Sequence, residues 1–208
     1  MTRAPALWLL RHAQPLIAPG VCYGQLDVPA DHGHTLQAGM RFISVMPRQA
    51  IVRYSPLQRC EQLAQSLQVP ETHLVADVRL QEMHFGQWEG QSWNDIGHAA
   101  VDAWSRDLFR HAPGGGESLC DMLRRVQAAL IESWQHDSQC GTRDVVWVTH
   151  AGVARCVYWL LHYGQAQPSA QDWRLPAPAF GQHVVFAWTE HLAALGALQS
   201  PPAPTPAA

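Results

Sequence analysis

Two apolar runs limit what this chain can fold into. Residues 6–10 and 145–148 are apolar at every position, which is typical of buried β-strands. Arg11 and His12 follow the first run, and Thr149 and His150 follow the second. In an open parallel sheet, ligands bind beyond the carboxyl ends of the strands. The two runs therefore predict a sheet with His12 and His150 at the edge where ligands bind.

Helical segments and further strands lie between these runs. Leu36, Met40 and Ile43 have helical spacing and predict a first helix with these residues on its apolar face. A second helix is predicted behind a strand at 50–54, with Ser55 as its N-cap and Pro56 at its first position. Arg59 would then lie in the first turn of that helix, near its amino end.

The rest of the chain continues the alternation. The remaining predicted elements are a short strand at 73–76, a long helix opened by the capping pair Ser118 and Asp121, a strand at 144–149, a helix at 152–161 and a last strand at 183–188. Because parallel neighbours require crossover connections, this alternation predicts an α/β fold, a three-layer α/β/α sandwich with a mainly parallel sheet.

The length favours one domain. The 208 residues predict a single domain over 1–200, with an insertion over the sheet at about 81–116 that is rich in Trp, Gly and His. The Pro/Ala segment 201–208 is expected to be disordered. The oligomeric state is left open by these features, and a homodimer is one alternative.

Charge and hydropathy exclude several partners. With 14 Lys+Arg against 17 Asp+Glu, the chain has no polyelectrolyte character that would indicate nucleic acid as a partner. No apolar run approaches the length of a membrane span or a signal-peptide core, so no membrane partner is expected and the cytoplasm is the expected compartment.

Cysteine and histidine spacing does not favour a metal. The five cysteines contain no Cys-x-x-Cys pair, and they predict reduced thiols; they are Cys22, Cys60, Cys120, Cys140 and Cys156. An alternative hypothesis, a metal hydrolase, rests on His32 and His34 beside Asp31 with Cys22 upstream, but the spacing supports it poorly. The sequence therefore predicts neither a metal nor a cofactor.

The residues at the strand ends suit phosphoryl transfer. A neutral imidazole is a competent nucleophile near pH 7, which makes His12 the candidate nucleophile. Guanidinium groups bind phosphoryl oxygens bidentately, so Arg11 and Arg59 are candidate phosphate ligands, and His150 would stabilise the charge of the transition state. Glu82, flanked by apolar residues, is a candidate proton donor. From the residues alone four rivals for that role stay open: Asp27, His84, Glu89 and Glu117.

Five ordered motifs carry a family resemblance. They are Leu10-Arg11-His12-Ala13, Ser55-Pro56-Leu57-Gln58-Arg59-Cys60, Leu80-Gln81-Glu82-Met83-His84-Phe85-Gly86-Gln87-Trp88-Glu89-Gly90, Gly115-Gly116-Glu117-Ser118 and Thr149-His150-Ala151-Gly152-Val153. In this order they resemble the histidine phosphatase superfamily, which includes cofactor-dependent phosphoglycerate mutase. The resemblance implies a phosphoglycerate mutase-like fold and a phosphomonoester hydrolase acting through phosphohistidine. It implies His12 as nucleophile, Arg11, Arg59 and His150 as phosphate pocket, and Glu82 as proton donor.

The same resemblance extends to substrate-binding positions. It places Gln14, Tyr23, Gly24 and Ala151 among the residues that bind phosphate or substrate. Segment 22–29 and the compact length resemble α-ribazole-5′-phosphate phosphatases of cobalamin assembly. The chain departs from the family pattern where Ala13 and Ala151 replace glycines and where Gln14 replaces an acidic residue.

Three other functions stay open. A phosphoglycerate mutase-like enzyme would use the same phosphohistidine but exclude water. A broad-specificity phosphatase would share the chemistry, and a catalytically silent module would only bind a phosphorylated small molecule. The short segment between Glu82 and Glu117 favours hydrolysis, and its Trp88, Trp93 and Trp104 are candidates for stacking on an aromatic base.

Overall fold

The computed structural model describes residues 4–138 and 143–188, and it has five strands in one sheet. The strands are β1 (Ala6–Arg11), β2 (Ile51–Tyr54), β3 (Leu74–Ala76), β4 (Val145–Thr149) and β5 (His183–Ala187). Their order in the sheet is β3-β2-β4-β1-β5. The first four run parallel, and β5 pairs antiparallel with β1 at one edge. The sheet is therefore mainly parallel, as the alternation of elements predicts.

Helices cover both faces of the sheet. They are α1 (His32–Ile43), α2 (Gln58–Ser66), α3 (Trp93–Ile96), α4 (His98–Arg106), α5 (Leu119–Glu132) and α6 (Ala151–Tyr163). Successive side chains of a strand point to opposite faces, so the central strands feed two cores. Leu7, Leu9 and Trp147 pack beneath α5 and α6, whereas Trp8 and Leu10 pack beneath α1 and α2. The result is a three-layer α/β/α sandwich.

The first helix forms where its spacing predicts, but its predicted apolar face is wrong. Leu36, Met40 and Ile43 are exposed, Met40 by 64%. The buried face consists of Thr35, Ala38, Gly39 and Phe42. The helices approach most closely at Gly39, where a Cβ would lie 2.4 Å from Ser66 Oγ of α2. Close packing of the two helices therefore decides which face is buried.

The predicted cap of the second helix is also wrong. α2 begins at Gln58, two residues later than Pro56, so Ser55 is not its N-cap. The free amide of Gln58 donates instead to Asp27 Oδ1 at 2.8 Å, from a loop 31 residues earlier. Arg59 still lies in the first turn of the helix.

Other predicted elements differ only at their ends. The residues before β3 form a 3-10 turn at Glu71–His73, so the strand starts at Leu74. Ser118 caps α5 as predicted, because its side chain accepts from the amide of Asp121. Segment 81–116 folds into 3-10 turns and the short helices α3 and α4. The predicted tail at 201–208 and Cys140 lie outside the described residues.

Candidate active site

The two histidines that follow the apolar runs lie side by side. β1 and β4 are parallel neighbours, and Arg11 is in register with Thr149, so His12 and His150 leave the sheet at the same edge. The amide of His12 donates to Thr149 O at 3.0 Å. The ring centroids are 5.0 Å apart. Residues separated by more than half the chain thus form the base of one site.

His12 is buried and its tautomer is fixed. The residue is only 2% exposed, and its Nδ1 lies 2.7 Å from Ala13 O. A carbonyl oxygen can only accept, so Nδ1 carries the proton and Nε2 has the free lone pair. Burial, together with the positive charge of Arg59, lowers the pKa of His12 to about 3. At neutral pH the imidazole is therefore an uncharged nucleophile.

Arg11 and Arg59 keep hydrogen-bond donors unused. Arg11 Nη1 donates to Pro178 O at 3.1 Å, and its guanidinium stacks 3.9 Å from the ring centroid of Phe180. Among the residues that the structure describes, the buried Nε–H groups of both arginines have no hydrogen-bond partner. A buried unsatisfied donor costs about 1–3 kcal/mol, which an oxyanion would offset. The two guanidinium groups are therefore suited to an anion.

Arg59 is fully buried and is positioned by the backbone of a loop. Its Nη1 donates to Leu26 O at 3.0 Å, and its Nη2 donates to Gly24 O. That loop is held in turn by Glu89, whose carboxylate accepts from the amides of Gly24, Gln25 and Leu26 at 2.8–2.9 Å. Three of the five guanidinium protons of Arg59 remain for a ligand.

His150 is buried and neutral. Its Nε2 lies 2.8 Å from Ser55 Oγ and 3.4 Å from Cys60 Sγ. Burial, and then the charge of Arg59, lower the pKa of His150 well below its usual value. At neutral pH the ring is therefore uncharged and has one N–H to donate. Ser55 contacts this ring instead of capping α2.

Glu82 is held at the amino end of α6. Its Oε2 accepts from the amide of Gly152 at 3.0 Å, and its Oε1 accepts from the amide of Met83 at 3.0 Å. A side chain at position 152 would displace Glu82, since a Cβ there would lie 2.0 Å from Glu82 Oε1. The glycine after Ala151 thus allows the carboxylate to reach the cavity.

The rival proton donors have structural partners. Asp27 binds the amide of Gln58, and Glu89 binds loop amides as described above. Glu117 forms an ion pair with Arg125 at 2.6 Å, and Arg125 also donates to the carbonyls of Arg79 and Gln81. Neither these three carboxylates nor exposed His84 lines the cavity that contains His12. Glu82 is the carboxylate that does.

A single cavity of about 320 Å³ joins these groups. Its polar floor is formed by Arg11, His12, Tyr23, Arg59, Glu82, His150 and Arg155. Its walls are mostly apolar and include Val21, Met83, Phe85, Trp93, Trp104, Leu108, Leu119, Met122 and Trp173. Charges inside such apolar walls interact more strongly than in water. The cavity can therefore bind a small anion attached to an apolar or ring-bearing group.

The predicted binding residues have three different positions. Tyr23 and Ala151 line the cavity, and the Tyr23 ring lies 5.5 Å from the Arg59 guanidinium. Gly24 contributes through its carbonyl, which orients Arg59. Gln14 does not line this cavity; it lines a separate one of about 220 Å³, together with Ala13 and Phe180.

The three tryptophans of segment 81–116 have different positions. Trp93 and Trp104 line the cavity, whereas Trp88 packs behind them with ring centroids 6.4 and 6.1 Å away. Trp104 Nε1 is buried and has no hydrogen-bond partner among the described residues. Two of the three side chains are therefore able to contact a bound molecule.

Sequence reasoning missed three residues of the site. Phe180 stacks on Arg11 and lies 5.3 Å from the His12 ring, and Trp173 and Arg155 line the cavity. A signal existed for Arg155, because residues four apart share one face of a helix and Ala151 is at that distance. The irregular segment that carries Trp173 and Phe180 offers no comparable periodicity.

The alternative metal site is not assembled. His34 Nδ1 lies 3.3 Å from Asp31 Oδ1 at the exposed start of α1, away from the cavity. Within residues 4–138 and 143–188, no group of three or more His, Cys, Asp or Glu side chains is placed to hold a metal ion. Over the same residues, no helix has the length and apolar character needed to cross a membrane.

Known proteins are similar to this chain in sequence and in fold. A family model described as the histidine phosphatase superfamily (branch 1) matches residues 7–192. Glucosyl-3-phosphoglycerate phosphatase of Mycolicibacterium vanbaalenii is 31% identical over 161 residues, which cover 73% of this chain and 71% of that protein. A Hydrogenobacter thermophilus protein whose name gives phosphoserine as its substrate is 27% identical, covering 74% and 77% of the two chains.

A solved structure agrees with the architecture. The mycobacterial glucosyl-3-phosphoglycerate phosphatase in complex with VO3 superposes with a TM-score of 0.71 at 27% identity. The match covers 88% of this chain and 92% of that one. It confirms the predicted fold class.

Proposed function

Because the chain belongs to the histidine phosphatase superfamily and is a phosphoric monoester hydrolase, we propose that His12 is its nucleophile and Glu82 its proton donor. The observation that carries this proposal is the fixed tautomer of His12, whose Nδ1 proton is held by Ala13 O. The Nε2 lone pair then lies in a cavity with two guanidinium groups that keep free donors.

The first step transfers the phosphoryl group to the enzyme. His12 Nε2 forms a bond to phosphorus as the bond from phosphorus to the ester oxygen breaks, and protonated Glu82 gives its proton to that oxygen. Arg11 and Arg59 bind the equatorial oxygens, where negative charge is spread in the transition state. A neutral His150 contributes one N–H to the same group.

The second step releases phosphate. Glu82, now a carboxylate, takes a proton from water as the water oxygen attacks phosphorus. The bond between phosphorus and Nε2 breaks, and its electron pair returns to the imidazole. Inorganic phosphate leaves, and Glu82 again carries the proton that the next cycle needs.

We further propose that the substrate is a small phosphorylated metabolite whose alcohol carries a carboxylate. The names of the relatives support this class, since glucosyl-3-phosphoglycerate and phosphoserine are both phosphomonoesters with a carboxylate on the alcohol. α-Ribazole 5′-phosphate is the second candidate, and Trp93 and Trp104 favour it because they could stack on its benzimidazole. That candidate was suggested by segment 22–29. Within this segment Gly24 accepts a hydrogen bond from Arg59, and Asp27 accepts one from the amide of Gln58.

Two experiments test these proposals. Incubation with p-nitrophenyl phosphate should release nitrophenolate, and rapid quenching should trap an acid-labile phosphoenzyme with the phosphoryl group on His12. A phosphoryl group on another residue would overturn the mechanism. A panel of 3-phosphoglycerate, glucosyl-3-phosphoglycerate, phosphoserine, α-ribazole 5′-phosphate and nucleotides, compared by kcat/KM, then ranks the substrates. Isomerised phosphoglycerate without free phosphate would identify a mutase instead.

A further inference from the structure

Arg155 lines the catalytic cavity from α6 and has no role in the mechanism above. Side chains on a helix lean toward its amino end, so Arg155 extends over the turn that begins at Ala151. Its Nε donates to Leu175 O at 3.1 Å, which fixes the plane of the guanidinium. The described ranges, 4–138 and 143–188, place no carboxylate within ion-pair distance of it.

The charge in the cavity exceeds what one phosphoryl group needs. In the described part of the chain, three arginines line the cavity (Arg11, Arg59 and Arg155) together with one carboxylate, Glu82. When Glu82 holds the proton for the leaving group, three positive charges remain. A phosphomonoester dianion balances two of them. One further negative charge on the substrate would balance the third.

Arg155 lines the same cavity as Arg11 and repels it electrostatically. Burial lowers the pKa of Arg11, and the positive charge of Arg155 lowers it further. Like charges held near each other in an apolar cavity are unfavourable unless anions lie between or beside them. A ligand with two anionic groups satisfies both arginines.

Resting on the proposed function, we propose that Arg155 determines specificity by binding a carboxylate on the alcohol portion of the phosphomonoester. A guanidinium presents a planar pair of donors that matches a carboxylate bidentately. Because Leu175 already holds Nε, the terminal amino groups are oriented before the substrate binds. A substrate that lacks the carboxylate leaves this cation unpaired in the cavity, which lowers its kcat/KM.

The test compares two esters that differ in this group. 3-Phosphoglycerate carries the carboxylate, and glycerol 3-phosphate has a hydroxymethyl group in its place. We expect the wild-type kcat/KM for 3-phosphoglycerate to be at least about tenfold higher than that for glycerol 3-phosphate. A difference of about tenfold corresponds to the contribution of one charge-assisted hydrogen bond. In Arg155→Met, the ratio of the two kcat/KM values should fall about 10- to 100-fold.

Control variants separate specificity from structure. Arg174→Met removes an exposed arginine outside the cavity and should leave the ratio at its wild-type value. Arg155→Lys keeps the charge and should restore part of the ratio. A purely structural role for Arg155 would lower both rates equally and leave the ratio unchanged, which would overturn the proposal.

The inference and the proposed function fail in different ways. If the wild-type enzyme hydrolyses p-nitrophenyl phosphate but treats the two esters equally, or acts on neither of them, the role of Arg155 is wrong and the phosphatase mechanism stands. If p-nitrophenyl phosphate is not hydrolysed, the mechanism fails and the inference fails with it.

Discussion

His12 combines burial with a fixed proton, and its removal should abolish turnover. We expect His12→Asn to lower kcat/KM for p-nitrophenyl phosphate by at least about a thousandfold, because the amide nitrogen of asparagine is not a nucleophile and cannot replace Nε2. Asparagine keeps a polar side chain in a buried position, so circular dichroism should report a folded protein. His98→Asn, at an exposed position on α4, is the matched control. A variant that keeps near-normal activity would exclude His12 as nucleophile.

Glu82 should matter in proportion to the leaving group's need for a proton. Glu82→Gln keeps the shape of the side chain but cannot donate as an acid. We expect kcat/KM for glycerol 3-phosphate to fall about 100-fold or more, within the usual range for general acid catalysis. Nitrophenolate leaves without a proton, so the first step with p-nitrophenyl phosphate should lose much less in single-turnover measurements. Exposed Glu71→Gln should change neither rate. Equal losses with both substrates would indicate another proton donor.

The residues of the site differ in how readily they can be identified from the sequence. His12 and His150 could be placed because each follows an apolar run, and parallel strands bring such positions to one edge. Glu82 could be named only with the family motif, since its rivals had similar surroundings in sequence. The structure separates them by their contacts: Glu117 is paired with Arg125, and Glu82 is not.

At the scale of elements, the first turn of α6 positions the acid. Gly152 supplies an amide to Glu82, and a Cβ at this position would lie 2.0 Å from Glu82 Oε1 and push that side chain away. We therefore expect Gly152→Ala to displace Glu82 and to lower kcat/KM for glycerol 3-phosphate about 10- to 100-fold, as misplacement of a catalytic group does.

The matched control for this substitution lies in another helix. In α1, a Cβ on Gly33 would meet only Asp31 Oδ1, at 3.4 Å. Gly33→Ala should therefore keep activity and raise stability by up to about 1 kcal/mol, since alanine favours the helix. Steady-state kinetics and thermal unfolding of both variants measure these effects. Normal activity in Gly152→Ala would show that Glu82 has room to move without loss of function.

Local sequence patterns were a better guide to which helices and strands form than to how those elements pack together. The periodicity of α1 is genuine, yet close contact with α2 buries Ala38 and Gly39 and leaves Met40 exposed. The start of α2 depends on Asp27, a residue from a distant loop. Both outcomes are set by contacts between segments, which no local pattern contains.

At the scale of the whole molecule, the fold holds two histidines uncharged beside two arginines. An imidazole in an unfolded chain has a pKa of about 6.5. In the folded protein, burial lowers the pKa of His12 to about 3 and that of His150 well below its usual value. Between about pH 6.5 and pH 3 the unfolded chain therefore binds protons at these histidines that the folded protein does not bind. The stability contributed by both histidines is therefore fully present above about pH 6.5 and decreases as the pH falls toward 3.

This linkage predicts a measurable slope. From pH 6.5 to 5, His12 alone should account for a decrease of about 2 kcal/mol in the free energy of unfolding. Urea unfolding at pH 7 and pH 5 should thus give a decrease that is smaller by about 2 kcal/mol in His12→Asn than in the wild type. His98→Asn, which removes an exposed histidine, should keep the wild-type decrease. If His12→Asn loses as much stability as the wild type over this range, His12 takes up a proton in the folded state near its ordinary pKa. It would then be charged below pH 6 and unable to act there as a nucleophile.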